Sequence, residues 1–344
     1  MSWSEHTSHL RHNARDVGKV LGGIIDFYRK GGVTTEARSA LLKLHCDTNG
    51  RFTDQLAMLV RSLRRPRGPH PVAGFLGELA VEQQKAIAAS IARDGYYVFE
   101  QRIPGDLCDQ IEAFAARTPC RVEGRGREPE DRVLFDPKAP ISKTYRVMEE
   151  DIIANRAMQQ LMADPSMLAI AEIYLKSHPV LSMMNLWWSA TFGDKPGDHA
   201  AQEFHFDFDP PPAWLLFFIY VTDVGPENGP HVYARGSHVA GHPAAGPLLS
   251  RGYVRIPDSD VATAFGKENV VELHGKRGTI LAVDTRGFHK GKMLNAGHRL
   301  MVQLTYSYPP YSGAHGSVRK ISGEIDPSLA KAIKTTPRVF ERYT

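Results

Sequence analysis

The apolar positions in the first 65 residues recur every three or four places, a spacing that predicts amphipathic helices. Three segments show it: Val17, Leu21, Ile24, Ile25 and Tyr28; then Leu41, Leu42 and Leu44; then Leu56, Leu59, Val60 and Leu63. The stretch RSLRRPRGPHPVAG, residues 61–74, is basic and rich in proline and glycine. Its composition predicts a linker, which we interpret as a solvated hinge, with contact to an acidic partner as the alternative.

Beyond residue 75 the pattern turns to short apolar segments. It predicts a helix ending near Arg93, a strand over Tyr96–Glu100, and helices at about 106–117 and 151–175. Four later segments, bounded by turn-forming residues, predict strands: LSMMNLWWSATF, WLLFFIYVTD, RGTILAVD and HRLMVQLTYSY. Many short strands separated by turns are typical of a sandwich or barrel. The sequence therefore predicts a mainly β domain behind an N-terminal helical extension.

Side chains alternate between the two faces of a strand, which lets the pattern assign faces. In the last strand Arg299, Met301, Gln303 and Thr305 share one face. Only one of Trp187 and Trp188 can point inward. The run from Trp214 to Val221 is apolar throughout, so we predict a strand buried on both sides whose side chains all serve packing.

Composition narrows the classes of protein that fit. The 344 residues allow one large or two ordinary domains. A net charge of +4 is too small to require a nucleic-acid partner, and the apolar runs are too short to predict a membrane span or a signal peptide. Three cysteines without metal spacing predict a reducing compartment. We therefore expect a cytoplasmic protein of unknown oligomeric state.

The candidate chemistry begins at EFHFDFD, residues 203–209. In a strand, His205, Asp207 and Asp209 would share one face and the three phenylalanines the other. His-x-Asp alone is weak evidence, because 15 histidines make about one such triplet expected by chance. A second triplet, His45-Cys46-Asp47, lies in a helical segment, where residues two apart diverge and cannot share a metal.

Two later residues give the first triplet its significance. His289 follows a buried-looking strand, and Arg299 opens the next strand. Two histidines and one carboxylate, brought together by a barrel, make the facial triad of non-haem Fe(II) oxygenases. The planar guanidinium of Arg299 can pair bidentately with the carboxylate of a small diacid bound at that metal.

From about Ala92 to Tyr308 the chain resembles the phytanoyl-CoA dioxygenase family of Fe(II)/2-oxoglutarate-dependent oxygenases. The likeness lies in DGYYVFEQRIPGDLCDQIEAF, HFD, GPENGPHVYARGSH and GTILAVDTRGFH, with Arg299 ten residues beyond His289. It implies a double-stranded β-helix, or jelly roll, with flanking helices. We accordingly predict a helical extension and linker over 1–75, the oxygenase domain over 76–312, and a C-terminal segment packing on it over 313–344.

The resemblance also implies site residues and cosubstrates. His205, Asp207 and His289 would bind Fe(II), and Arg299 would hold the far carboxylate of 2-oxoglutarate, with O2 as the second cosubstrate. Further candidates for cosubstrate binding lie on or near strands that could reach the cavity: Lys143, Asn185 and Gln202. The implied reaction hydroxylates a small molecule or a carrier-bound metabolite and releases succinate and CO2. The carboxylate of Asp207 argues against halogenation, since related halogenases lack it.

The sequence departs from the family pattern at three places. Gly291 stands where a hydroxyl residue often helps to bind 2-oxoglutarate, Arg235 replaces a common proline, and His231 is unusual in its turn. His238 and Asp209 are predicted to support turns. The alternative function is a non-catalytic jelly-roll binding or scaffold protein with a vestigial metal site. The substrate and the role of the N-terminal helices, which could cap the barrel, form a dimer or present the substrate, stay open.

Overall fold

The computed structural model describes residues 3–30, 32–122, 132–192, 202–208, 213–308 and 318–344. Its α-helices are α1 (Trp3–Lys30), α2 (Thr35–Asp47), α3 (Arg51–Arg61), α4 (Val81–Asp94), α5 (Gly105–Arg117), α6 (Glu149–Ala154), α7 (Arg156–Met162), α8 (Pro165–Leu175), α9 (Gly246–Leu249), α10 (Asp258–Phe265) and α11 (Pro327–Thr335). The three predicted N-terminal helices are confirmed as α1 to α3. None of the helices described has the length and apolar content to cross a membrane.

The strands are β1 (Val72–Gly74), β2 (Gly77–Leu79), β3 (Tyr96–Arg102), β4 (Cys120–Val122), β5 (Arg132–Val133), β6 (Thr144–Arg146), β7 (Val180–Ala190), β8 (Trp214–Tyr220), β9 (His231–Ala234), β10 (Val270–Leu273), β11 (Thr279–Val283), β12 (His289–Gly291) and β13 (His298–Ser307). The four strands predicted most clearly are confirmed as β7, β8, β11 and β13. The segment over 151–175 is divided among α6, α7 and α8, because Asn155 and Asp164 cap new helix starts with their side chains.

Over the described residues, a large and a small antiparallel sheet make up the β domain, and β1 pairs with β2 in a separate two-stranded sheet. The large sheet has the strand order β3-β11-β8-β13-β7-β6-β4-β5, and the small sheet has the order β10-β9-β12. The long pair β13 and β7 forms the centre of the large sheet, and Leu215, Phe217 and Ile219 of β8 lie in the core cluster that includes Met167 and Ile170 of α8. The predicted jelly roll with flanking helices and an N-terminal helical extension is confirmed.

The prediction that all of β8 serves packing is wrong for one of its faces. Every residue of this strand is buried, but Leu216 and Phe218 belong to a different apolar cluster from Leu215 and Phe217. Leu216 and Phe218 line the cavity between the sheets. A strand covered on both sides shows no alternation in its sequence, so the pattern could not separate the cavity face from the helix face.

Residues 61–74, interpreted from the sequence as a solvated hinge, are largely exposed, and backbone contacts hold them to the rest of the fold. The Ser177 hydroxyl donates to the carbonyl of Arg64 (2.9 Å), and the Glu172 carboxylate accepts from the backbone N–H of Arg67 (2.6 Å). The segment ends in β1, and the hairpin turn after it donates from Phe75 N to the Asp164 carboxylate (2.7 Å). These contacts fix the basic segment to α8, since buried acidic and hydroxyl groups satisfy its backbone. The domain boundaries at 75 and 312 stay predictions.

The helices α2 and α3 pack behind the segment that carries His205 and Asp207. The His45 ring lies 5.5 Å from the ring of Phe206 and 4.9 Å from that of Phe208, centroid to centroid. Asn49 donates from Nδ2 to the carbonyl of His242 (2.9 Å), and its own carbonyl accepts from Gly241 N (2.7 Å). These contacts place α2 against the β domain as a cap on its small-sheet side.

A buried ion cluster joins α3 to the turn before His289. The Arg286 guanidinium pairs with Asp284 (2.6 Å) and with Asp54 of α3 (3.0 Å). Tyr174 of α8 donates to the other side of this cluster, at Asp284 Oδ2 (2.5 Å). Because a buried carboxylate needs a paired cation and hydrogen bonds, this cluster anchors the turn from both the N-terminal helices and α8.

Protonation of His45 is expected to make the protein less stable in mild acid. Burial lowers the pKa of His45 to about 3, and the positive charge of Arg286 lowers it further. In the unfolded chain His45 has a pKa near 6.5, so it takes up a proton there at a higher pH than in the folded protein. The contribution of neutral His45 to the free energy of unfolding is therefore fully present above pH ~6.5 and is lost as the pH falls toward 3. At pH ~5.5 the loss is about 1.4 kcal/mol.

Urea unfolding of wild type and His45→Gln at pH 7.5 and 5.5 measures this contribution. From pH 7.5 to pH 5.5, the free energy of unfolding should fall by about 1.4 kcal/mol less in the variant than in wild type. His274→Gln is the matched control, because His274 is exposed and pairs with Glu272 on the surface. Equal pH losses in wild type and His45→Gln would contradict this account of His45.

Candidate metal centre

The segment that carries His205 and Asp207 does not form the continuous strand that its alternation of polar and aromatic residues predicts. The backbone forms isolated bridges at Phe204 and His205 only, and Asp209 lies outside the described residues. His205 and His289 exchange both backbone hydrogen bonds (3.0 and 2.8 Å), and Asp207 N donates to the carbonyl of Thr285 (2.7 Å). The hydrogen-bonded ladder stops here because the opposite segment, residues 284–288 just before β12, forms a turn and not a strand.

The alternation of side chains nevertheless holds over the described part of this segment. Phe204 and Phe206 are fully buried in a cluster with Ile256 and Phe288. His205 and Asp207 line the cavity on the opposite side. The apolar face therefore fixes the segment to the small-sheet side of the protein, and the polar face is presented to the cavity.

Three potential ligand groups converge at this point: His205, Asp207 and His289. Within the described residues they are the one group of histidine, cysteine and acidic side chains whose spacing suits a metal ion. His205 Nε2 lies 3.7 Å from Asp207 Oδ1, and His289 Nε2 lies 3.6 Å from Asp207 Oδ2. Ligand atoms that neighbour each other around one ion lie roughly 3 Å apart, so small side-chain movements bring all three into range.

Backbone carbonyls orient both imidazoles. His205 Nδ1 lies 2.9 Å from the carbonyl of Glu203, and His289 Nδ1 lies 2.9 Å from the carbonyl of Gly287. Since a carbonyl only accepts, each Nδ1 carries the hydrogen, and the lone pair of each Nε2 points toward Asp207. Burial lowers the pKa of His205 to about 2, with the charge of His289 adding to the effect. His205 is therefore neutral, which is the form that binds metals.

Close packing fixes the turn before His289. A Cβ added at Gly287 would overlap the hydroxyl of Tyr233, which donates to the carbonyl of Asp284 (2.7 Å). The next residue, Phe288, donates from its backbone to the Ser237 hydroxyl (2.8 Å). Only glycine fits at 287, so the tyrosine, the serine and the turn together set the position of His289.

A cavity of about 620 Å³ lies between the two sheets. Every site residue proposed from the sequence lines it: Lys143, Asn185, Gln202, His205, Asp207, His289 and Arg299. The structure thus brings together residues from β7, β12, β13 and two connecting segments. Arg299, Met301 and Gln303 face the cavity, as the alternation of β13 predicts. Trp187 also faces inward, whereas Trp188 packs on the other side against Phe135.

Arg299 is a buried cation on the wall formed by β13. Its side chain donates from Nη1 to the carbonyl of Gly229 and from Nη2 to the hydroxyl of Ser189 (3.2 Å). Burial lowers the pKa of Arg299 below its usual value. Nε has no hydrogen-bond partner, and no carboxylate pairs with this guanidinium in the parts of the chain that the structure describes. A desolvated cation without a counterion is costly, so this position favours an anionic ligand.

The three other proposed cosubstrate residues occupy different positions in the cavity. Lys143 is buried just before β6. Asn185 donates from Nδ2 to the sulfur of Met183 (3.1 Å). The Oε1 atom of Gln202 is buried and has no hydrogen-bond partner among the described residues. All three are placed to contact a ligand, and their roles stay proposals.

His231 is a cavity residue to which sequence reasoning assigned no role, although it stood out as unusual in its turn. It lies in β9, with its ring stacked on that of His289 at a centroid distance of 5.3 Å and an angle of 22°. Its buried Nε2 has no partner within the described residues. His238, in contrast, hydrogen-bonds the carbonyl of Ala92 (3.1 Å), outside the cavity lining, in the structural position predicted for it.

Four further cavity residues gave no signal in the sequence: Arg121, Arg146, Ser189 and Arg255. Ser189 reaches the site because β7 pairs with β13, which places it directly opposite Arg299. Arg121 and Arg146 lie in strands of three residues, too short for a clear alternation. Such residues could be recognised only once the strand pairing was known.

Comparisons with known proteins match a single family model to more than half of the chain. The family model described as phytanoyl-CoA dioxygenase (PhyH) matches residues 91–299. Among curated proteins, none matches the chain.

Solved structures of low sequence identity also match. EctD from S. alaskensis, crystallised with 2-oxoglutarate and 5-hydroxyectoine, is 20% identical, with 71% of this chain and 82% of that chain covered and a TM-score of 0.42. The epimerase SnoN from nogalamycin biosynthesis is 20% identical, with 72% and 92% covered and a TM-score of 0.46. AviO1 from Streptomyces viridochromogenes Tue57 is 17% identical, with 68% and 98% covered and a TM-score of 0.42.

Proposed function

Because the chain belongs to the phytanoyl-CoA dioxygenase family, we propose that it is an Fe(II)- and 2-oxoglutarate-dependent dioxygenase. It hydroxylates a small molecule or a carrier-bound metabolite, consumes O2, and releases succinate and CO2. The observation that carries this proposal is the convergence of His205, Asp207 and His289 on one cavity, with both Nε2 atoms directed at the carboxylate.

The donor set of the three residues suits ferrous iron. Two neutral imidazoles and one carboxylate on one side of an ion leave further positions open on its other side. Asp207 keeps 39% of its side chain exposed to the cavity, so ligands can approach from there. Iron bound there would supply, with 2-oxoglutarate and O2, the oxidising power needed to hydroxylate an unactivated carbon. His205, Asp207 and His289 hold and orient the metal for that chemistry.

Arg299 is suited to hold the far carboxylate of 2-oxoglutarate. Its guanidinium already contacts the hydroxyl of Ser189, which can donate to the same carboxylate. Ser189 would then supply the hydroxyl that is missing at Gly291. Arg299 lines the same cavity as the three candidate metal ligands, and His231, which also lines it, stacks on His289. A short diacid could therefore reach from Arg299 to the metal position.

Apolar side chains form part of the cavity wall. Leu216, Phe218 and Met301 line the side formed by the large sheet. These side chains offer an apolar surface to the hydrocarbon part of a substrate. The carboxylate of Asp207 occupies the position that a halide would need, so the proposed outcome is hydroxylation.

Turnover of 2-oxoglutarate without substrate tests the proposal. Protein loaded anaerobically with Fe(II) and 2-oxoglutarate should develop a metal-to-ligand absorption band. Addition of O2 and ascorbate should then release succinate. His274→Ala is a matched control, because it removes an exposed imidazole outside the cavity and should leave both signals unchanged. Absence of both the band and succinate in wild type would instead favour the jelly-roll scaffold with a vestigial metal site.

A further inference from the structure

We propose, on the basis of the proposed function, that His231 is a further residue of the cosubstrate site. Its Nε2–H group would donate a hydrogen bond to the far carboxylate of 2-oxoglutarate, beside Arg299. Donors from both sheets would then hold this carboxylate, with Arg299 and Ser189 on the large sheet and His231 on the small sheet. His231 would thereby favour 2-oxoglutarate over 2-oxo acids that lack a second carboxylate.

Two buried nitrogen atoms of the cavity residues have no hydrogen-bond partner within the described ranges. They are Nε2 of His231 and Nε of Arg299. Both residues line the cavity, and only 4% of His231 and 5% of Arg299 is exposed. A buried polar group without a partner is costly and requires an explanation. An anion with two oxygen atoms, bound between these side chains, would give each nitrogen an acceptor.

Hydrogen bonds place His231 beside Arg299. The Arg299 guanidinium donates from Nη1 to the carbonyl of Gly229, two residues before His231. The backbone N–H of His231 donates to the hydroxyl of Tyr220 (3.1 Å). Tyr220 is in turn the direct strand partner of Met301, which lines the cavity together with Arg299. The start of β9 is therefore fixed over the part of β13 that carries Arg299.

The ring of His231 also adjoins the candidate metal centre. It stacks on the ring of His289 at a centroid distance of 5.3 Å and an angle of 22°. His231 thus contacts a proposed metal ligand and lies next to the proposed anchor of the far carboxylate at Arg299. A short diacid that binds both the metal and Arg299 would lie along this wall of the cavity.

Glycine at position 291 leaves space next to His231. Gly291 of β12 is the direct strand partner of His231, and it also lines the cavity. The Cβ atoms of directly opposite residues lie roughly 5 Å apart, so a larger residue at 291 would project against the His231 ring. The absence of a side chain there leaves this space for a ligand.

An imidazole has the chemistry that this position requires. A carboxylate only accepts hydrogen bonds, so Nε2 of His231 would carry the hydrogen in the complex, and it can do so in a neutral or a charged ring. Hydrogen bonds to an ionised carboxylate are stronger than those between neutral groups. Leucine at this position would keep apolar bulk and lose the donor.

Calorimetric titration with two 2-oxo acids tests this role. Protein loaded with Fe(II) in the absence of O2 is titrated with 2-oxoglutarate and with 2-oxopentanoate, which has a methyl group in place of the far carboxylate. His231→Leu should weaken 2-oxoglutarate binding about tenfold or more. Its affinity for 2-oxopentanoate and its iron content should equal those of wild type. His231→Gln, which keeps an N–H donor, should bind 2-oxoglutarate with intermediate affinity.

His274→Leu is the matched control, because its exposed imidazole pairs with Glu272 outside the cavity lining. This variant should bind both acids as wild type does. Two results would overturn the proposed role: wild-type affinity of His231→Leu for 2-oxoglutarate, or an equal loss of affinity for the two acids. An equal loss would show that His231 only supports the packing of His289.

The absorption band of the iron–2-oxoglutarate complex separates this proposal from the proposed function. A normal band in wild type, together with undiminished 2-oxoglutarate affinity in His231→Leu, rejects the role of His231 alone. Absence of both the band and 2-oxoglutarate binding in wild type rejects the oxygenase itself.

Discussion

Replacement of Asp207 with alanine is expected to abolish iron binding and succinate release together. The change removes the one carboxylate that faces both His205 Nε2 and His289 Nε2. Changes to residues that merely support metal ligands already cost 10–100-fold in affinity, so loss of a ligand should cost more than about 100-fold. Iron content after gel filtration under anaerobic conditions measures this, with the absorption band as a second readout. His205→Ala should behave in the same way.

Asp223→Ala is the matched control for this experiment. Asp223 is exposed and pairs with Lys276 on the surface, so its loss should leave iron content and turnover unchanged. An Asp207→Ala protein that retains full iron and normal succinate release would show that this carboxylate is not a ligand. The assignment of the three residues as a metal site would then fail.

Replacement of Arg299 with alanine is expected to weaken 2-oxoglutarate binding about 10- to 100-fold and to leave iron binding intact. Its guanidinium is buried beside Ser189, and charge-assisted hydrogen bonds to a carboxylate account for an effect of this size. Titration of the absorption band with 2-oxoglutarate measures the affinity, and metal analysis measures iron in the same sample. Arg299→Lys should be intermediate, because an ammonium keeps the charge but not the bidentate geometry.

Arg277→Ala is the control for loss of an arginine. Arg277 lies at the surface and pairs with Asp109 and Glu112, so its removal should not change 2-oxoglutarate affinity. Unchanged cosubstrate affinity in Arg299→Ala would reject the proposed role of Arg299. It would leave the assignment of the three proposed metal ligands unaffected, since iron binding and cosubstrate affinity are measured separately.

The N-terminal helices support the proposed active site from behind, although none of their described residues lines the cavity. His45 of α2 packs on Phe206, and Asp54 of α3 pairs with Arg286 in the turn before His289. Both segments that carry the proposed metal ligands are therefore supported from the same side. Of the three roles left open for these helices, which are capping the barrel, forming a dimer and presenting the substrate, these contacts favour capping, and the role stays a prediction.

Much of the candidate site could be predicted from local sequence patterns. Alternation assigned His205 and Asp207 to the face opposite Phe204 and Phe206, and it placed Arg299 with Met301 and Gln303. Alternation works because successive side chains of extended backbone point to opposite faces whatever the rest of the chain does. The spacing of apolar positions predicted α1, α2 and α3 for a similar reason, since helical periodicity is a property of a short stretch.

Tertiary structure alone decided which distant residues meet. Ser189 reaches Arg299 across 110 positions of sequence, and Arg121 opposes Arg146 because β4 pairs with β6. The docking of residues 61–74 on α8 and the two faces of β8 were likewise invisible in the chain. Local patterns record the direction in which a side chain points, whereas strand register and burial depend on partners far along the chain. The sequence by itself determined which side chains could bind a metal or an anion, and the fold decided which of them share one cavity.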